Sequence, residues 1–479
     1  LANIYAGPSV VYGSGSGTEG NPFHIKEALE NLNATDKTVI MLDGTYNVGS
    51  IFNNNQNLWT LPTSEGNRQT VQAESDGGVI WKPAGGEALR FKQVCKYITF
   101  KDIIFDFINM TGTDVNGIHI HEQESPGNIH NIIWDNCTFR YAPRHNMYMG
   151  PTSHDCSYIN CTSYDAGRST TGSLWNNLYW EGYSHIVRGN LMYYTEDWRG
   201  TGLYGYQGGH FRLSTNAVNV TGSLAAPQSD GHLIEDNECR GGNIGLVVSF
   251  DDHIVRNNVF SNHRFGTSNF AIEYLVIAGT RAVDSQPCTN DGSVFYNNTM
   301  YNSTTAAKGL AFVTFSSGTA TNAKSKNNIA RNYSTAFDYD GATVDTATNI
   351  TTDPTFTDPE NFDFHIGSGG NADGTGTDLS ATGFSDDKDG LARPQDGANW
   401  CIGAFEVPAP PTSSPVNTMT WPSTGVTDEE LSVTHCSVTD ADDDLTGDAD
   451  DNAGVWFRND VGATFSGTST GTGTFQGEA

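Results

Sequence analysis

The phrase HIVRNNVFSNH, His253 to His263, is one copy of a pattern that recurs along the chain. Aligned on Asn258, the other copies are ITFKDIIF from Ile98, IIWDNCTF from Ile132, CSYINCTS from Cys156, IVRGNLMY from Ile186, LIEDNECR from Leu233, VFYNNTMY from Val294 and AKSKNNIA from Ala323. One column then reads Asp102, Asn136, Asn160, Asn190, Asn237, Asn258, Asn298 and Asn328. Short β-branched strands split by Asn and Gly cannot bury a face alone; stacked, they share one continuous core. The interval between copies runs from about 20 to almost 50 residues, which places loops of varied length between repeating strands. The pattern predicts an all-β fold, a right-handed parallel β-helix in which each copy lies about 4.8 Å above the last. Asn suits such a column for two reasons: it tolerates left-handed or bridge backbone at a bend, and its amide can bond the same residue one rung on. Asn136 and Asn160 also begin N-x-T triplets, but a place in this inward column argues against glycosylation there.

Composition limits the function classes. A net charge of −30 excludes a nucleic-acid footprint, which needs basic patches, and suits a salty or calcium-containing medium. No apolar run approaches the length of a membrane span; AIEYLVIAG is a core strand. The opening LANIYAGPS predicts a processed mature chain or a fragment. Of the eight Cys, none forms a CxxC pair or another metal spacing. Cys137 and Cys161 fall in one column on adjacent rungs, which is compatible with a bridge or with a ladder of reduced thiols.

Residues 1–95 read as the entry to the solenoid. Ile25, Ala28, Leu29 and Leu32 share one face of a short amphipathic helix that can cap the first rung and protect its strand edge. GTEGNPFHIKEAL followed by VIMLDGTYNVG resembles the N-terminal signature of secreted bacterial right-handed β-helix proteins of the pectate-lyase-like superfamily. At the far end, TDPTFTDPENFDFHIG and then DDKDGLARPQDGANWCIGAFE are similar to the terminal element of such exported proteins. Cys401 departs from the Asp usual before IGA, and GSGGNADGTG departs from the common Ser-Pro-Ala-Ile-Asp-Ala-Gly string. The resemblance implies a β-helix, central rungs over 96–365 and their end over 366–406, and an extracellular or cell-surface location.

VPAPPTSSPV gives a Pro/Ser linker over 407–416. Beyond it, residues 417–479 resemble the opening of a cadherin-like calcium-dependent β-sandwich module. They are too few for a complete sandwich, so a longer parent polypeptide is expected. Asp440, Asp442 and Asp444 are the candidate metal ligands, although Leu445 stands where an EF-hand requires Gly. A solvated acidic turn is the alternative. Calcium is the cofactor this segment implies; no organic cofactor is implied.

A second strand precedes each Asn: GIHIHEQ from Gly117, NMYMGPT from Asn146, NLYWEG from Asn177 and GLYGYQG from Gly202. Alternation sends Ile118, Ile120, Met147, Met149, Leu178 and Leu203 inward. The opposite face then presents His119, Tyr148, Tyr179 and Tyr204, with His121, Glu181 and Tyr206 beside them. A row of aromatic rings with hydroxyls fits sugar rings and their edges; loops covering the row would make it a second core layer instead. EDWRGTGLYGYQGGHFRLS adds Trp198, Arg199, His210 and Arg212 in an expected long loop beside that face.

Elimination from a uronate needs a base and a cation. No Lys occurs between Lys101 and Lys308, so Arg199 or Arg212 would meet the carboxylate and His121, His210 or Tyr204 the proton. Hydrolysis needs two acids, for which Glu181 with Glu196 or Asp197 are the candidates. His119, Tyr148, Tyr179, Tyr204, Tyr206 and Arg212 are the expected substrate-binding set; Glu181, His121, Arg199 and His210 the catalytic one. The expected function is a carbohydrate-active protein, lyase or hydrolase, working on an acidic or algal-type polysaccharide. The alternative is a non-enzymatic structural or adhesive segment of a surface, filament or tail-fibre protein that binds glycans or self-assembles.

Overall fold

In a computed structural model, the chain divides into two compact units, Leu1–Val407 and Pro408–Ala479. The structure describes residues 3–408 except 34–37, 50, 54–61, 92–94, 113–114, 121–128, 151–152, 169–174, 196–208, 215–230, 250, 264–269, 278–289, 316–319, 340–341 and 396–398. The first unit is the predicted right-handed parallel β-helix. One turn runs Ser157–Ile159, Thr162–Tyr164 and Asn176–Glu181; it returns as Ile186–Arg188, which pairs in parallel with Ser157–Ile159. Repetition builds a 13-stranded and an 18-stranded sheet. Alternation fills the interior: Ile118, Ile120, Met147, Met149, Leu178 and Trp180 are all fully buried. The helix Ile25–Glu30 lays Ile25, Ala28 and Leu29 against the first rungs, as its spacing predicts.

The Asn repeat resolves into two neighbouring columns. At the corner between sheets stand Asp102, Asn136, Asn160, Gly189, Asp236, Asn257, Asn297 and Asn327, each with a φ between 51 and 66°. This is the left-handed bend that Asn, Asp and Gly tolerate best. From Asn136 on, the next residue on each rung points inward: Cys137, Cys161, Asn190, Asn237, Asn258, Asn298 and Asn328, with Asn349 one rung further after Thr348 at φ 51°. From Asn190 onward each side-chain Nδ2 donates to the Oδ1 of the following Asn, at 2.8, 2.9, 3.0, 3.0 and 3.0 Å. The same Oδ1 also accepts the backbone N–H of the preceding member, so both functions are saturated.

The expected single column therefore slips by one residue between Asn160 and Asn190. Ser157 pairs with Ile186, which sets Asn160 opposite Gly189 and Cys161 opposite Asn190. Asn136 and Asn160 are exposed corner residues, so burial gives no ground against glycosylation at either. Cys137 and Cys161 are free thiols that continue the ladder: the Cys137 N–H meets Cys161 Sγ at 3.4 Å, and the Cys161 N–H donates to Asn190 Oδ1 at 2.7 Å. Burial pushes the Cys161 thiol well above the usual range. Alkylation of Cys137 and Cys161, mapped by mass spectrometry, is expected only once the chain is unfolded; labelling of the native protein at either thiol would contradict the ladder.

A second polar column opens the strands of the 13-stranded sheet: Cys156, His185, His232, His253 and Ser293. The N–H groups of Cys156, His185 and His232 donate to the Nδ1 of the next histidine at 3.2, 3.2 and 3.1 Å, and that of His253 to Ser293 Oγ at 3.0 Å. The rings of His185, His232 and His253 stack at 5.1 Å spacing. At the far end, residues 351–407 are moored on the corner column. Asn257 accepts from Arg393, Asn297 donates to the Cys401 and Gly403 carbonyls, and Asn327 accepts from Thr377 N–H. The buried Arg393–Glu406 pair, at 2.5 Å, locks the closing ARP…IGAFE string onto the rungs.

Candidate functional site

One register column crosses the 18-stranded sheet. Registers place Arg90, His119, Tyr148, Tyr179, Arg212, Val247 and Glu273 side by side on seven consecutive rungs. The expected neighbours His119, Tyr148 and Tyr179 are brought together. Next on the row comes Arg212, because Gly209–Ser214 and not the stretch from Gly202 pairs with Asn176–Glu181. That segment is a strand rather than the expected loop. His210 shares the parity of Arg212, but at the start of the strand its ring is fully buried between Asn177 Nδ2 at 3.1 Å and the Gly241 carbonyl at 2.8 Å. His210 is thus removed from the candidate face. His121, Arg199, Tyr204 and Tyr206 lie outside the described residues, as do Glu196, Asp197 and Trp198.

In the row, Arg90, His119, Tyr148 and Tyr179 are half-buried, neither an open face nor a core layer. Its rings meet edge to face: His119 and Tyr148 at 5.2 Å and 74°, Tyr148 and Tyr179 at 5.3 Å and 69°. Glu181 joins two rungs, accepting from the Tyr179 hydroxyl on Oε1 at 2.9 Å and from the Tyr148 hydroxyl on Oε2 at 3.2 Å. Burial, and then the charge of Glu181, push the Tyr148 hydroxyl far above the ordinary phenol range, so it remains a donor. A shoulder built on the buried His145 supports the rings from one side. His145 lies 5.1 Å from Tyr179 and 5.5 Å from Trp175, and the Arg144 guanidinium covers Trp175 at 4.8 Å.

At the other end of the row, Glu87 holds two of its members. One oxygen lies 2.6 Å from His119 Nδ1 and the other 3.3 Å from an Arg90 terminal nitrogen. Sequence reasoning missed Glu87, Arg90, His145 and Trp175. Arg90 was legible in principle, since LRF alternates like IHI and MYM. Glu87 precedes its strand, and no periodicity sets where such a side chain points.

Among the described residues no group of three or more His, Cys, Asp or Glu side chains is placed to hold a metal ion. Asp440, Asp442 and Asp444 lie outside the described residues, so the calcium expectation has no geometry to meet. No described helix is long and apolar enough to cross a membrane.

No protein-family model and no curated protein sequence matches the chain. Among solved structures, the pectate lyase Pel9A is similar with a TM-score of 0.56 and 13% identity, over 84% of this chain and 96% of that one. A protein described as XylC in complex with xylose gives 0.47 and 11%, over 84% and 98%. An alginate lyase from Paenibacillus sp. str. FPU-7 gives 0.42 and 14%, over 72% and 98%. At this identity the pectate lyase establishes the shared right-handed parallel β-helix and nothing about chemistry.

Proposed function

We propose that the solenoid is an extracellular carbohydrate-active protein that receives an acidic polysaccharide along the row from Arg90 to Arg212. The observation that carries this is the Tyr148–Glu181–Tyr179 bridge on a half-exposed strand face. Two rings with tethered hydroxyls and a carboxylate offer a sugar both apolar faces and fixed hydrogen-bonding partners. Arg90 and Arg144 supply positive charge on a chain of net charge −30, a placement that favours an acidic glycan at this one face. The pectate lyase Pel9A shares the fold, which is compatible with the same substrate class. A polymer of this kind is met outside the cell, hence the location.

Elimination is favoured over hydrolysis. Hydrolysis needs two carboxyl groups available at the scissile bond, whereas Glu181 is engaged by the Tyr148 and Tyr179 hydroxyls and Glu87 by His119 and Arg90.

Retention on an array of alginate, pectin and glycosaminoglycans tests the binding face. Tyr179→Ala is expected to weaken retention about ten-fold, the value of one aromatic contact of about 1.4 kcal/mol. Tyr179→Phe, which removes only the hydroxyl bonded to Glu181, is expected to lose less. Unchanged retention of a folded Tyr179→Ala variant would remove the row from the binding face. Retention without any product from the native protein would support the adhesive alternative.

A further inference from the structure

We infer that His119 is the proton-transfer group of this face and that Glu87 is its positioning residue, an assignment that rests on the acidic-glycan reading above. Glu87 is 9% exposed, with one oxygen 2.6 Å from His119 Nδ1. An ionised carboxylate only accepts, so Nδ1 carries the hydrogen, and in the neutral ring the lone pair falls on Nε2. The edge-on contact with Tyr148 at 5.2 Å fixes the plane of the imidazole from the neighbouring rung. Glu87 thus does for His119 what the third member of a nucleophile–base–orienter set does for its base.

The alternatives on the row are weaker. From His119 to Arg212 it has no Lys. Tyr148 stays protonated and is committed to Glu181. His145 is buried behind the row, and its Nδ1 accepts the Asn176 N–H at 2.9 Å. Two other described histidines meet carboxylates, His154 with Asp155 and His365 with Asp363 and Asp389, and neither stands on this face.

Arg90 completes the set. It is the register partner of His119 on the preceding rung, and its side chain is 28% exposed beside Glu87. A partly exposed guanidinium beside the base suits the carboxylate of a uronate, whose negative charge must be neutralised before the adjacent carbon yields a proton. The step balances without a co-reactant. The proton on the carbon bearing the carboxylate passes to His119 Nε2, and its electron pair becomes the new carbon–carbon double bond. The neighbouring glycosidic C–O bond breaks, and the leaving oxygen takes a proton from water.

The test combines turnover and retention on the same polyuronates, turnover being read from the ultraviolet absorbance of the conjugated double bond. His119→Ala is expected to lower kcat by about 100-fold or more while retention falls far less, and added imidazole to restore part of the loss in turnover. Glu87→Gln is expected to lower kcat about ten-fold or more with KM unchanged, and Glu87→Asp to recover part of it. If His119→Ala does not fold, judged by far-ultraviolet circular dichroism, Glu87→Gln carries the test alone. A native protein that turns over its substrate as fast with His119 or Glu87 replaced would overturn the assignment and leave the binding face standing. Retention of the native protein without any product would overturn the assignment in the same way. Neither retention nor product would overturn both.

Discussion

Replacing Asn258 with Ala is expected to lower the unfolding free energy by about 4 kcal/mol, with each unmatched buried group costing about 1–3 kcal/mol. Asn258 is fully buried in the middle of the inner ladder. Its Oδ1 takes both the backbone N–H and the Nδ2 of Asn237, at 3.0 and 2.9 Å. Its own Nδ2 donates to Asn298 and to the Ile234 and Arg256 carbonyls. The methyl group of Ala can replace none of these, and a cavity in a stacked core admits little relaxation. Asn136→Ala provides the contrast. That side chain is exposed at the corner and donates to Asp76 and Asp102 at 3.0 and 2.8 Å, so only the left-handed bend and two solvated bonds are lost. Its cost is expected near 1 kcal/mol. Urea denaturation of the two variants measures the difference. Equal losses would mean that the corner and the ladder are not distinct columns.

That contrast also marks where the sequence was legible. Repetition of one phrase is enough for the architecture, because few folds require the same short strand many times. The phrase was not enough for the register. In IVRGN the residue type points to Asn190 as the equivalent of Asn160, yet Gly189 takes the left-handed corner and Asn190 the ladder. Gly and Asn both satisfy that corner, so identity alone cannot separate two adjacent polar columns; hydrogen bonding between rungs does. Cys137 and Cys161 were similarly ambiguous, since nothing in residue type tells a stacked pair of thiols from a bridge.

The row was legible to the same extent. His119, Tyr148 and Tyr179 follow from strict alternation around Ile118, Met147 and Leu178. The next rung did not, because GLYGYQG and GHFRLS both alternate. Phe211 and Leu213 are the large apolar pair that can stack on Leu178 and Trp180 inside the coil; GLYGYQG offers Leu203 and then Gly205. Volume decided the register where periodicity was silent. Glu87 and the two bonds of Glu181 were beyond reach, since both depend on how chain ends turn at the edge of a strand.

Acid is expected to unfold this solenoid through the histidine ladder. Burial lowers both His185 and His253 to about 4. The Nδ1 of each accepts a backbone N–H, and Nε2 faces a carbonyl, Glu181 O at 3.0 Å and Ser249 O at 2.7 Å respectively. Protonating Nδ1 would set two donors against each other in a dry interior. In the unfolded chain the same histidines titrate near 6.5. Between about 6.5 and 4 the unfolded state therefore binds more protons, so stability is complete above this window and falls as pH drops through it. Each histidine accounts for about 3 kcal/mol across the full interval. Asp236 opposes them: burial and the charge of Glu235 raise it to about 6, so the folded state gains its proton first and is favoured as pH falls. Glu181 reaches His185 through its backbone carbonyl, while its carboxylate is held by Tyr148 and Tyr179. Comparison of variants isolates the ladder. His253→Asn keeps an acceptor for the His232 N–H but cannot titrate, and is expected to reduce the loss of urea stability from pH 7 to pH 4 by about 3 kcal/mol. An unchanged loss in that variant would place the acid sensitivity elsewhere. The same ladder fixes the ends of Asn176–Glu181 and Ile244–Ser249, two strands of the glycan row, so retention should fail over the pH interval in which the rungs lose their stability.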